Sequence, residues 1–174
     1  MKAVVFVDCQ NDFVTGALRN EKAIEVMPKI VEFAQKCVDE CDLIYATQDA
    51  HTENYLNTLE GKKLPVKHCI FGTEGWQIVD ELAEVLPFNC QYIQKPTFGS
   101  DALCDIIAKE SPCPDEIIIC GFVTSICVLA NAVMLRAKFP NTPITVLKDL
   151  CAGVTEEDHS AALKVLEMQQ IDVR

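Results

Sequence analysis

The chain has 174 residues, with 15 Lys+Arg against 26 Asp+Glu and a formal net charge of −11. That length suits one domain, and 49% apolar residues supply a full core, which excludes global disorder. The acidic balance argues against nucleic acid and against an anionic membrane surface, and no stretch reaches the roughly 18 apolar residues of a spanning helix.

The first apolar run, Ala3–Val7, predicts a strand. It stops at Asp8 with no small-residue cleavage site, so it does not read as a signal peptide, and a cytoplasmic location is expected. Met27, Ile30, Val31, Ala34 and Val38 recur at three and four, the spacing of one helix face. Pro28 fits that helix only in its first turn. A second strand is expected over Asp42–Thr47. Residues 48–74 are polar and weakly periodic, and loops of such length are usually functional or disordered. Gly75–Val85 reads as a short helix, Gln91–Gln94 as a strand and Asp101–Lys109 as a helix. Glu116–Cys120 is a strand without alternation, as expected of one buried on both faces. Thr124–Lys138 is apolar nearly all round and predicts a buried helix. Ile144–Leu147 is a fifth strand, and Thr155-Glu-Glu-Asp158 resembles a capping box opening a last helix to about Met168. Ile171–Val173 would be a short final strand. This alternation predicts one three-layer α/β/α domain over residues 1–174, with a mostly parallel, doubly wound sheet.

Ten cysteines lie at 9, 37, 41, 69, 90, 104, 113, 120, 127 and 151. None form a Cys-x-x-Cys pair, which argues against a zinc ribbon or a dithiol redox centre. Without a secretory signal they are expected as reduced thiols, most of them small core residues.

In open α/β sheets ligands bind beyond the carboxyl ends of the strands. Those ends carry Asp8, then Asp49-Ala-His51, then Lys95, then the segment to Cys127, then Lys148-Asp149. Cys127 lies in the first turn of the helix after the fourth strand, where free amides and the macrodipole favour a thiolate. Asp8 can serve as its base and Lys95 as a cation; the competing reading is a buried core thiol. Thr124 is a natural N-cap, which conflicts with leaving the Cys127 amide free for an oxyanion. Asp49, His51, Glu60 and His68 form a second constellation. Two imidazoles and two carboxylates suit a divalent ion, Zn²⁺ first, with Mn²⁺ or Fe²⁺ as alternatives; otherwise they are ordinary loop residues. Phe13, Tyr55, Trp76 and Phe98 are pocket candidates, Asp12 and Asp149 are candidate caps, and His159 is a structural hydrogen-bonding residue.

VFVDCQNDF, KPTFGS and CGFVTSICVLANAV, in order along the chain, resemble the isochorismatase-like cysteine hydrolases. The resemblance implies that Asp8 is the acid/base, Lys95 its cationic partner and Cys127 the nucleophile. It also implies a cis peptide at Phe122–Val123 and an oxyanion hole from the Val123 and Cys127 amides. Asp49-x-His51 and His68-Cys-Ile-Phe-Gly-Thr-Glu-Gly75 are similar to the nicotinamidase branch, in which Glu60 would add a metal ligand. The implied reaction is nicotinamide plus water giving nicotinic acid and ammonia, through a thioester on Cys127. Self-association as a dimer or tetramer is implied as well. Two departures stand out. Ser125 replaces the aspartate usual two residues before the cysteine, and Ala50 replaces a tryptophan that would wall the nicotinamide pocket. Rival readings are hydrolysis of another small amide or ureido compound, vinyl-ether hydrolysis of isochorismate, and a metal-stabilised binding module without turnover.

Overall fold

The computed structural model describes residues 1–40 and 43–174. Cys41, and the Asp42 expected to open the second strand, lie outside them. Six strands form one sheet in the order β3-β2-β1-β4-β5-β6: β1 Lys2–Val7, β2 Leu43–Asp49, β3 Gln91–Lys95, β4 Glu116–Phe122, β5 Ile144–Ala152 and β6 Asp172–Val173. Every neighbouring pair is parallel. The central strands β1 and β4 are buried almost throughout, because helices cover both faces and a continuous apolar run then costs nothing in exposure. Helices α1 (Asn11–Val14), α2 (Glu21–Glu40) and α4 (Asp80–Ala83) pack together, as do α5 (Asp101–Glu110), α6 (Leu129–Lys138) and α7 (Glu156–Met168). The strand order reverses between β1 and β4, which puts a crevice at their carboxyl ends. Among the described residues no helix is long and apolar enough to cross a membrane.

Several elements differ from their sequence-based bounds, each for a local reason. Strand β2 runs on to Asp49 because Gln48 and Asp49 pair with Gln94 and Lys95 of β3. Strand β5 runs on to Ala152 around a bulge: Ile119 pairs with Val146 but Gly121 with Cys151. Lys148 and Asp149 therefore sit exposed in that bulge and do not follow the strand. Asn20 caps α2, its Oδ1 accepting the amides of Lys22 and Ala23 at 2.9 and 3.2 Å, so Pro28 falls inside the helix. It lies on the exposed face, where water can hydrate the carbonyl it leaves unpaired. The buried stripe of α2 is Ala23, Val26, Met27, Ile30, Ala34 and Cys37, while Val38 is exposed.

The helix expected over Gly75–Val85 is reduced to α4. The carbonyls of Gly75 and Gln77 accept the amides of Asp12 and Asn11, and the Val79 amide donates to Cys9, so these groups are unavailable to a helix. Thr124–Lys138 is not uniformly buried. It begins as a π-helical turn over Thr124–Val128, and Cys127, Val128, Asn131, Ala132 and Leu135 face the core while Ile126 is exposed. Helix α7 opens on the expected capping box: the Thr155 hydroxyl accepts the Asp158 amide, and Asp158 accepts the Thr155 amide.

Of the 48–74 stretch, residues 48 and 49 end β2 and residues 50–74 fold back as a compact flap. It holds a short helix α3 (Leu59–Lys63), capped by the Thr58 hydroxyl accepting the Gly61 amide. It returns through a parallel bridge between His51 and Ile70. Asp12 ties it down: one carboxylate oxygen accepts the Cys69 amide at 2.7 Å and the other accepts the Ala17 amide at 2.9 Å. A Cβ on Gly75 would lie 2.2 Å from that carboxylate, so this clamp requires glycine.

Candidate active site

The switch point gathers Asp8, Lys95 and Cys127 from the ends of β1, β3 and β4. All three are buried, with Cys127 4% exposed. Lys95 Nζ lies 2.6 Å from Asp8 Oδ2, 3.5 Å from Cys127 Sγ and 3.5 Å from Asp49 Oδ1, and donates to the Thr97 carbonyl at 3.1 Å. Burial opposes the charge on Lys95, but Asp8, Cys127 and Asp49 outweigh it and hold the ammonium above its ordinary range. Burial raises Asp8, with Lys95 acting against that rise. The Cys127 thiol is pushed well up by burial and then by the Asp8 carboxylate, again opposed by Lys95. Burial thus opposes the thiolate that a helix start favours, and the Lys95 ammonium 3.5 Å from the sulfur works for it.

The conflict at Thr124 is settled by a different partner. Its hydroxyl pairs with His159 Nδ1 at 2.8 Å, while the Ile126 and Val128 amides both turn to the Val123 carbonyl. His159 is thereby a structural hydrogen-bonding residue. The Phe122–Val123 peptide is cis.

Asp49, His51, Glu60 and His68 converge beside this group, each offering one ligand atom, all within 4.8 Å of one another. His51 Nε2 is 2.9 Å from Asp49 Oδ2 and 3.6 Å from Glu60 Oε1; His68 Nε2 is 3.4 and 3.6 Å from the same two oxygens. His68 Nδ1 pairs with the Val66 carbonyl at 2.8 Å, which fixes the tautomer and leaves Nε2 to face the cluster. Ligand bonds of about 2.0–2.2 Å would span these separations, so the donor set fits a divalent ion. Charge points the same way: Asp8 and Asp49 are buried with partly buried Glu60 beside them, Lys95 is their one Lys or Arg partner among the described residues, and an excess of carboxylates in a dehydrated site favours a cation.

Both groups open onto one cleft of about 950 Å³, whose lining includes Asp49, Glu60, His68, Val123 and Cys127. Phe13 and Phe98 line it as expected. Tyr55 does not. It is buried behind the ligands, its ring against His51 and His68 and its hydroxyl donating to the Leu64 carbonyl. Trp76 instead packs on Phe71.

A family profile described as the isochorismatase domain matches residues 2–173. The chain belongs to the isochorismatase family. Among solved structures, this isochorismatase-family chain is similar to a Pyrococcus horikoshii pyrazinamidase in complex with zinc, at 28% identity over 99% of this chain and 98% of that one, with a TM-score of 0.85. A Streptococcus mutans pyrazinamidase/nicotinamidase is 26% identical with both chains fully covered and a TM-score of 0.88. A Bacillus subtilis nicotinamidase/pyrazinamidase is 26% identical over 99% of this chain and 98% of that one, with a TM-score of 0.87.

Two buried polar residues of the isochorismatase-family site were not singled out from sequence. Gln10 holds Asp49 in place, its Oε1 accepting the Asp49 amide at 2.7 Å and its Nε2 donating to the Asp49 carbonyl at 2.9 Å. Thr47 donates to Asp8 Oδ1 at 2.6 Å. Their signal was present in the chain: polar side chains at the carboxyl ends of otherwise apolar strands. Asp12, in α1, clamps the flap from outside, and Ser125 lines a separate groove beside α6.

Proposed function

We propose that the protein is a metal-assisted cysteine amidohydrolase acting on a small amide, most specifically nicotinamide. The observation that carries this reading is the position of Lys95, whose one ammonium touches the base, the thiol and a candidate metal ligand. In the proposed reaction Asp8 takes the Cys127 proton as sulfur attacks the carbonyl carbon, and Lys95 stabilises the thiolate. The Val123 and Cys127 amides stabilise the oxyanion. The C–N bond then breaks as Asp8 returns the proton to the departing nitrogen, giving ammonia and a thioester. Asp8 next draws a proton from water, which attacks the thioester and releases the acid and the thiol. Asp49, His51, Glu60 and His68 would hold the ion, zinc first, which when bound supplies a Lewis acid for a substrate ring nitrogen. Nicotinamide as the substrate draws on the similarity to nicotinamidases and pyrazinamidases. Self-association and a cytoplasmic setting belong to the same reading.

A second reading, another small amide or ureido compound, is favoured by Ala50 and by the roomy cleft. Ammonia release across a panel of amides separates the two: selective turnover of nicotinamide supports the first, and preference for a ureido compound replaces it.

A further inference from the structure

We propose that Thr47 is a positioning residue that commits one oxygen of Asp8 to proton transfer; this rests on Asp8 acting as the base. The register between β1 and β2 pairs Val7 with Thr47. Asp8 then leaves the strand with φ +48°, and its amide meets both the Thr47 carbonyl (3.2 Å) and Thr47 Oγ1 (3.1 Å). A hydroxyl carries one proton. With an N–H already directed at Oγ1, that proton goes to Asp8 Oδ1, 2.6 Å away. Oδ1 is thereby occupied. Among the described residues Oδ2 accepts no hydrogen bond beyond its ion pair with Lys95, whose Nζ also reaches Cys127 Sγ. The S–H proton therefore passes to Oδ2, leaving the sulfur lone pair beside the ammonium, and returns from Oδ2 to the leaving nitrogen.

Thr47 is fully buried and does not line the cleft, so it acts through Asp8 and not on substrate. A β-branched residue suits a strand whether or not it carries a hydroxyl. Valine would serve β2 equally well, and the hydroxyl is the part the site uses. Without it the carboxylate can rotate, and both oxygens compete for Lys95.

The test is steady-state ammonia release by the zinc-loaded full chain with Thr47→Val, Thr47→Ser, Asp8→Asn and the Thr47→Val/Asp8→Asn pair. Thr47→Val should lower kcat about ten- to a hundredfold with KM within about twofold, while Thr47→Ser stays within about threefold of the parent. Added to Asp8→Asn, Thr47→Val should cost nothing further. Thr47→Ala carries the same expectation if the valine variant does not fold. Undiminished kcat in the hydroxyl-free variant, equal losses for Ser and Val, or a loss that multiplies with Asp8→Asn overturns the proposal. If the parent releases no ammonia from any amide, the functional reading has failed instead. The positioning claim is then read from iodoacetamide labelling of Cys127, which should slow about tenfold in Thr47→Val and not in Thr47→Ser; equal rates in the two variants would overturn it.

Discussion

Lys95 is the residue on which both halves of the site depend. Its ammonium is the local counter-charge to two buried carboxylates, Asp8 and Asp49. Removing one partner of a buried pair strands the other in a medium that solvates it poorly. Lys95→Met should therefore lose about 3–5 kcal/mol of stability as well as activity, read as a lower urea midpoint. An unchanged midpoint would mean that the carboxylates are neutral without it. Asp49→Ala should release bound zinc, measured by elemental analysis of the purified protein; retained zinc would remove Asp49 from the ligand set. The candidate groups were legible because acids, histidines, a lysine and a cysteine are chemically distinctive at strand ends. Tyr55 was misplaced because a tyrosine beside ligands looks the same in sequence whether it faces the cleft or backs the imidazoles. Thr47 and Gln10 were missed because their function lies in partners 39 residues away along the chain.

At the level of elements, apolar runs marked β1, β2, β4 and the first half of β5, and the Thr155 capping box marked the start of α7. Strand ends were less legible, since Gln48 and Asp49 read as loop residues until β3 pairs with them. The bulge in β5 leaves no local mark in composition, and neither does the capture of the Gly75 and Gln77 carbonyls by the segment after β1. Gly121 has φ +119°, and a Cβ there would lie 2.1 Å from the Val7 carbonyl oxygen. Gly121→Ala should destabilise by at least about 1–3 kcal/mol, since both backbone conformation and sheet spacing oppose it. Thr155→Ala should cost only about 1 kcal/mol, the usual worth of an N-cap. Thermal or urea unfolding of the two variants checks the order, and a larger loss at Thr155 would contradict it.

On the scale of the whole molecule, the cysteines and the metal group set the response to solution conditions. The Cys90 and Cys151 thiols are each pushed up to about 12 by burial, above an ordinary value of 9.0. A raised folded-state value means their contribution is fully present below pH 9.0 and lost as pH rises through about 12. The urea midpoint should therefore fall across that alkaline window, and Cys151→Ala should flatten the fall; a flat profile in the parent would show that neither thiol ionises on unfolding alone. Zinc should raise the melting temperature of the stripped protein, by roughly 2.7 kcal/mol of stability at a hundredfold excess over its Kd. An Asp49→Ala chain should not respond.

The central claim is that Cys127 carries the acyl group. Rapid acid quenching during turnover of nicotinamide, followed by mass analysis of the peptides, tests it most directly. The expected result is an acyl adduct on the Cys127 peptide of the parent, with neither adduct nor ammonia from Cys127→Ala. Ammonia released by Cys127→Ala at the parental rate would contradict it.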